Sequence, residues 1–445
     1  MSQPPANPVQ QRFQKLEDFW NDFAQHPDAR ILRWIADRDT ARMLDLFVEL
    51  QNEEVSSIPD LFVRMEVPFD DAGSYAASLI RSLVEQFEAV RESLRDDGMN
   101  VDWSAPHRSA QHRSAPHRSA PHRSEQAGTS ELIATLASFR DFYQSIMQHL
   151  AIVLVPAAIS LRSAWQQWLM SLAAQPIPPG VRFFVVDDST APELTELAEK
   201  FPERVLSIDP ELNMPAAYEE LVEQAPGEGP AHDFRRLFVK LNNAAAAGDP
   251  NSAKDLAVRA TAIATANQWP HLVTVAQMAL GAAYFSTGDL DSTLQCYRTA
   301  NAAIADSDDP AAPRLNLQTR MSEGSALIAA GRFDEAAAVY EIAAVMAEEQ
   351  SDAASEMDCW RVAGWCHESC RNADRAWECG QKSLTAGQTM DDEQRRTSTL
   401  PYTGQMMLRL RKAAPFRNGH RQVREQMLTW FGDDWESMLP QKGAV

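Results

Sequence analysis

The chain has 445 residues, of which 44% are hydrophobic and 23% charged. It is too long for one ordinary core and long enough for two or three. A formal net charge of −21 repels phosphate backbones and argues against a general nucleic-acid binder.

Residues 1–24 read as a polar, helical lead-in, and Met1 to Gln11 lacks the apolar core of a secretory signal. Strand-like runs follow at Ala29–Ile35, Leu61–Phe69, Leu150–Val155, Val181–Val186 and Arg204–Ile208. Three of them are short, β-branched and apolar, as expected for strands buried on both faces. Amphipathic stretches lie between them at Ala41–Gln51, Ala72–Arg95, Ser130–Gln148, Leu161–Ala174 and Ala191–Phe201. This alternation predicts an α/β domain with a mostly parallel sheet over 25–103 and 125–225. Pro156 and Pro210 follow strands and stop them.

Residues 104–124 interrupt that domain with SAPHR, SAQHR, SAPHR and SAPHR. A period of five fits neither a helix face nor a strand face, so the insert reads as an extended spacer. Its His107, His112, His117 and His122 need no specific chemistry there. The longest apolar run, Leu150 to Leu161, is too short to span a bilayer. The five cysteines, Cys296, Cys359, Cys366, Cys370 and Cys379, fit reduced thiols in helices and a cytoplasmic location. Pro226–Pro230 (PGEGP) marks a hinge. From Asp233 onward strand signals vanish, alanine becomes abundant and helical periodicity takes over.

That second half, residues 232–445, repeats. Leu280, Gly281, Tyr284 and Gly288 are followed by Tyr297 and Ala300; Gly324, Leu327, Gly331, Ala336, Tyr340 and Ala343 occupy the same offsets. A third unit has Trp360, Ala363, Gly364, His367, Ala376 and Ser383, with Arg371 in place of the turn glycine and Gly380 in place of the second aromatic. Weaker units surround Gly248, Ala253 and Ala260, and Gly404 and Met407. These residues resemble tetratricopeptide repeats, which implies an all-α superhelix of stacked helix pairs. Gly281, Gly324 and Gly364 lie 43 and 40 residues apart, against about 34 for the usual repeat. Long connectors such as Asp306–Pro313 (DSDDPAAP) account for the excess.

The resemblance implies a groove lined by the first helix of each pair. Its offsets point to Asn242, Met278, Phe285, Gln318, Met321, Ser325, Arg361, Trp365, Glu368 and Arg409. Met278, Phe285, Met321 and Trp365 would supply an apolar stripe for a peptide or amphipathic helix. The basic residues that accompany Asn in carboxylate-gripping grooves are missing, which disfavours chaperone-tail binding. A basic end, Arg395, Arg396, Arg409, Arg411, Lys412, Arg417, Arg421 and Arg424, offers a dock for an acidic partner or for the acidic first half.

The first half resembles a P-loop NTPase domain in strand order, with Leu150–Val155 at the magnesium-binding strand and Val181–Asp188 at the next. The chemistry departs from that family. No GxxxxGK[ST] occurs, Asp37-Arg38-Asp39-Thr40 follows the first strand, and Pro156 stands where an acidic metal ligand would be. The expectation is a degenerate domain without hydrolysis. Asp187 and Asp188 read as a strand-end cap in preference to a metal site. Cys366 and Cys370 are spaced i,i+4 but lack CxxC spacing, so buried thiols are favoured over zinc. His26, His149, His232, His271, His367 and His420 sit in no catalytic motif.

The sequence therefore predicts a non-enzymatic adaptor, scaffold or chaperone with a protein or peptide partner, no cofactor and no metal. Nucleic acid and membrane are excluded as partners, and a small-molecule ligand is disfavoured. By analogy, such a pairing is similar to accessory factors of effector or toxin delivery, as in type VI secretion. The alternative is a regulatory NTPase with a tetratricopeptide sensor.

Overall fold

The computed structural model describes residues 6–53, 58–106, 125–410, 416–433 and 435–438. The four insert histidines, Arg411 and Lys412 lie outside them, as does the side chain of Arg417. The chain divides into two compact units, Met1–Leu221 and Val222–Val445.

In the first unit the sequence alternates between periods of two and of about 3.6, and the elements follow it. They are α1 (Pro8–Gln25), β1 (Ile31–Ala36), α2 (Arg38–Gln51), β2 (Leu61–Met65), α3 (Ala72–Asp96), α4 (Glu125–Phe142), β3 (Leu150–Leu154), α5 (Arg162–Ala174), β4 (Val181–Asp188), α6 (Thr195–Lys200) and β5 (Val205–Ile208). A further helix, α7 (Met214–Gln224), crosses into the second unit. The strands pair in parallel in the order β2-β3-β4-β1-β5. All five strand-like runs become strands; the 61–69 run ends at Met65, with Phe69 retained only as an isolated bridge to Ile159. The helix expected over Ser130–Gln148 is corrected to Glu125–Phe142, because the chain must turn before His149 to enter β3.

Adjacent strand residues point to opposite faces, so each strand feeds two cores. Ile31, Ile152 and Phe183 join one core with Leu79 of α3, Leu136 of α4 and Trp168 of α5. Leu32, Val153 and Phe184 join the other with Leu16, Trp20 and Phe23 of α1 and Phe47 of α2. The lead-in is thus more than a lead-in: Leu16, Trp20 and Phe23 recur at helical spacing and are fully buried. Trp20 Nε1 donates to Asp60 (2.8 Å), whose other oxygen accepts the His149 backbone N–H (2.8 Å) and faces its ring nitrogen (2.9 Å). This buried network ties α1 to the starts of β2 and β3.

The outer edge of β2 would template another strand. The Asn52 side chain occupies part of it, donating to Phe62 O (2.8 Å) and accepting from Phe62 N–H (3.1 Å). Gln86 Nε2 donates to Arg64 O (3.0 Å).

The second unit has no strand among its described residues. Helix pairs follow one another: α8 (Pro230–Ala246) with α9 (Pro250–Ala266), α10 (Pro270–Ser286) with α11 (Leu290–Ile304), α12 (Ala312–Ala329) with α13 (Phe333–Glu349), and α14 (Ala353–Ser369) with α15 (Ala373–Thr389). Then come α16 (Asp392–Thr397), α17 (Leu400–Arg409), α18 (Phe416–Phe431) and a short 3₁₀ turn, Trp435–Met438. Within each of the four pairs the turn has one recipe. A left-handed residue, Gly248, Gly288, Gly331 or Arg371, closes the first helix. The next N–H reaches back to a carbonyl of the last turn, as in Asp289 N to Tyr284 O (3.0 Å) and Asn372 N to His367 O (2.9 Å). Asp249, Asp289 and Asn372 then cap the second helix, whereas Arg332 at the start of α13 makes no side-chain cap.

The pairs approach closely where glycine meets an aromatic ring. A Cβ on Gly281 would lie 2.5 Å from the Tyr297 ring, and one on Gly324 2.5 Å from the Tyr340 ring. The α14–α15 pair has no such tyrosine. Its Gly364 and Gly380 are met by Met406 and Met407 of α17. Methionine is unbranched and adaptable, so it can enter from the following helix.

Candidate partner-binding face

Nine of the ten candidates fall on first helices of successive pairs: Asn242 on α8; Met278 and Phe285 on α10; Gln318, Met321 and Ser325 on α12; and Arg361, Trp365 and Glu368 on α14; the tenth, Arg409, is on α17. Within a helix their spacings of three, four and seven place them on one face. Phe285 is 41% exposed and Trp365 38%, high for side chains of their size. Asn242, Gln318, Ser325 and Arg409 are exposed; Met278, Met321, Arg361 and Glu368 are half-buried.

Contacts unite some of them across helices. Thr319 Oγ1 donates to Met278 Sδ (3.1 Å), joining α12 to α10. Ser325 Oγ lies 2.8 Å from Tyr340 Oη and donates to Met321 O (3.0 Å). The Trp365 ring meets Phe333 edge to face, centroids 5.5 Å apart. Arg409 pairs with Glu368 (2.9 Å), and Arg361 with Asp358 (2.7 Å). Both arginines are thus neutralised locally, and the exposed aromatics are left as the features that a partner could bury. Asn242 donates to Phe238 O of its own helix (2.9 Å). Sequence offsets place Tyr340 in the repeat but anticipate neither its contact with Ser325 nor that of Phe333 with Trp365; Tyr340 and Phe333 both come from second helices.

In the first unit a single residue, Asp37, separates β1 from α2. Its carboxylate caps the helix, accepting from Thr40 N–H (2.7 Å). A helix N-terminus attracts anions, and here the chain supplies its own. Asp187 is buried and accepts from Arg33 Nε (2.8 Å) and from the backbone N–H groups of Glu193 (2.8 Å) and Leu194 (3.0 Å). Asp188 accepts from the Thr190 backbone and hydroxyl (2.7 Å each), which hold its carboxyl below the usual range. Both aspartates therefore serve the strand end and the turn after it.

The cysteines are free thiols, all buried except the half-buried Cys370. Burial pushes Cys359 and Cys366 up to about 12, and Cys296 up to about 11. A hydrogen bond to Asp334 raises Cys370. Beside β2, Phe62, Leu83, Phe87, Val90, Tyr143 and Ile146 wall an apolar cleft of about 790 Å³.

No family model matches the chain. No curated protein matches it either. Among solved structures, BtubC (BKLC) from P. vanneervenii is similar over 56% of this chain and 90% of its own, at 16% identity and a TM-score of 0.35. A kinesin light chain from Podosopora anserina with nearly identical TPR-like repeats is similar over 45% and 95%, at 18% identity and a TM-score of 0.34. A Rap protein complexed with competence and sporulation factor is similar over 82% and 89%, at 11% identity and a TM-score of 0.32. The fold class is an α/β unit with a parallel sheet, followed by a run of tetratricopeptide-like helix pairs. Among the described residues no helix is long and apolar enough to cross a membrane.

Proposed function

We propose that the protein is a non-enzymatic adaptor, scaffold or chaperone that holds a segment of another protein on the first-helix face of its repeat unit. The observation that carries this reading is the pair of exposed aromatics, Phe285 and Trp365, on a face whose arginines Arg361 and Arg409 are already paired. Rigid aromatic anchors in neutral surroundings suit an apolar or amphipathic segment. Half-buried Met278 and Met321 add adaptable surface beside them. The test uses the full chain as bait in its native extract, with bound proteins identified by mass spectrometry. Trp365→Ala and Met321→Glu should each release a partner that the wild type retains. Recovery of no specific protein, or retention unchanged by both variants, would overturn the reading. An effector, a toxin or a delivery component among the captured proteins would extend it to secretion.

A regulatory NTPase is the second reading. The parallel order β5-β1-β4-β3-β2 favours it, because it matches the strand order of the P-loop resemblance. The one-residue Asp37 connection and the engaged Asp187 weigh against it. A thermal-shift titration with ATP, GTP and magnesium decides. Nucleotide at a hundredfold excess over Kd would add about 2.7 kcal/mol, whereas a flat response removes this alternative.

A further inference from the structure

His367 and Cys379 stand twelve residues apart in the sequence, so spacing alone hides what the fold brings together.

 His367 lies three residues before Cys370, and Cys379 nine after it. The fold separates Cys370, which bonds Asp334, from the other two. His367 in the last turn of α14 and Cys379 in α15 instead converge on Glu341 of α13. His367 Nε2 lies 2.8 Å from Glu341 Oε1, and Cys379 Sγ lies 3.7 Å from the same oxygen. The three ligand atoms all fall within 4.8 Å of one another.

We propose that Glu341, His367 and Cys379 form a binding site for a divalent ion of the zinc class. Thiolate, imidazole and carboxylate are the ligand types zinc takes, and the thiolate selects against magnesium and calcium. Tetrahedral bonds of ordinary length place such ligand atoms about 3.4–3.6 Å apart. The observed separations of 2.8 and 3.7 Å need only small side-chain shifts to reach that spacing. A water completes the fourth position, because Glu341 and His367 are half-buried and within reach of solvent.

Without the ion, Arg375 supplies the compensating charge. It donates to both Glu341 oxygens (2.8 and 2.7 Å). An ion carrying two charges replaces this guanidinium, which is free to swing toward Glu378, already its partner at 2.7 Å. Burial, together with Glu341, pushes the Cys379 thiol up to about 12, so binding releases its proton to solvent. The site staples α13 to the α14–α15 pair, whose turn uses Arg371 and whose aromatic position holds Gly380.

The test is cobalt(II) titration of the full chain, followed by absorption spectroscopy. One ion per chain should bind with a thiolate-to-cobalt charge-transfer band. The insert histidines contribute no such band, because no cysteine lies near them in the sequence. Cys379→Ser should abolish the band, whereas Cys370→Ser should keep it. Glu341→Gln and His367→Gln should each weaken binding at least tenfold, and Arg375→Gln should tighten it. Circular dichroism confirms that each variant is folded. Absence of the band in the wild type, or its survival in Cys379→Ser, would overturn the proposal, as would weaker binding in Arg375→Gln.

Discussion

The two units fill their interiors in opposite ways. The α/β unit uses large side chains: Trp20, Trp34, Trp168, Phe47, Phe69 and Phe183 are all fully buried. The repeat unit uses small ones: Ala253, Ala257, Ala260, Ala336, Ala343 and Ala363 are equally inaccessible. Helices packed on a sheet leave a thick layer to fill, whereas paired helices crossing at close range leave almost none. The same apolar fraction therefore builds two interiors with opposite sensitivities.

The sharpest break of this contrast comes from truncating the first interior. Trp168→Ala should cost about 3–5 kcal/mol, read as lost amide protection in β3 and β4 by hydrogen exchange, with α12 and α13 unaffected. Local exchange is the right measurement because a chain of two units need not unfold in one step. Enlargement should injure the second interior. Gly324→Val drives a Cβ into the Tyr340 ring and should cost about 1–3 kcal/mol, with the loss of protection confined to α12 and α13. Arg371→Gly should have the opposite sign. Its φ of +62° is the left-handed value that the equivalent glycines adopt, so glycine should stabilise α14 and α15 by about 0.5–1 kcal/mol.

The smallest effect concerns acid. Burial disfavours charge on Glu341, but hydrogen bonds from His367 and Arg375 outweigh it and hold its pKa below 4.5. A depressed carboxylate stabilises the fold above its unfolded value and loses that contribution as pH falls through the folded value. Protection factors in α13–α15, which correct for the slower intrinsic exchange in acid, should therefore fall below about pH 4.5 in the wild type. Glu341→Gln should flatten that dependence.

The five strands were legible because runs such as Leu150–Leu154 and Val181–Val186 are apolar, β-branched and flanked by turn residues. The repeat was legible because Gly281 and Tyr297 stand sixteen residues apart, as do Gly324 and Tyr340. The buried stripe of α1 was missed, although Leu16, Trp20 and Phe23 carry its period, because Gln and charged neighbours dilute it. Contacts between side chains distant in sequence leave no local signal. Asn52 sealing the β2 edge, and Glu341 meeting His367 and Cys379, are of that kind. Of the candidate face, the helix positions were readable from the repeat. The local pairing of Arg361 and Arg409 required coordinates.

The methionines that enter from α17 bear on how the array could be cut and recombined. Gly364 and Gly380 belong to one helix pair, yet the atoms that fill the space above them, Met406 and Met407, belong to the next. A truncation after α15 would leave two holes in its terminal layer, and grafting that pair elsewhere would carry them along. The transplantable cassette is four helices long, from α14 to the end of α17.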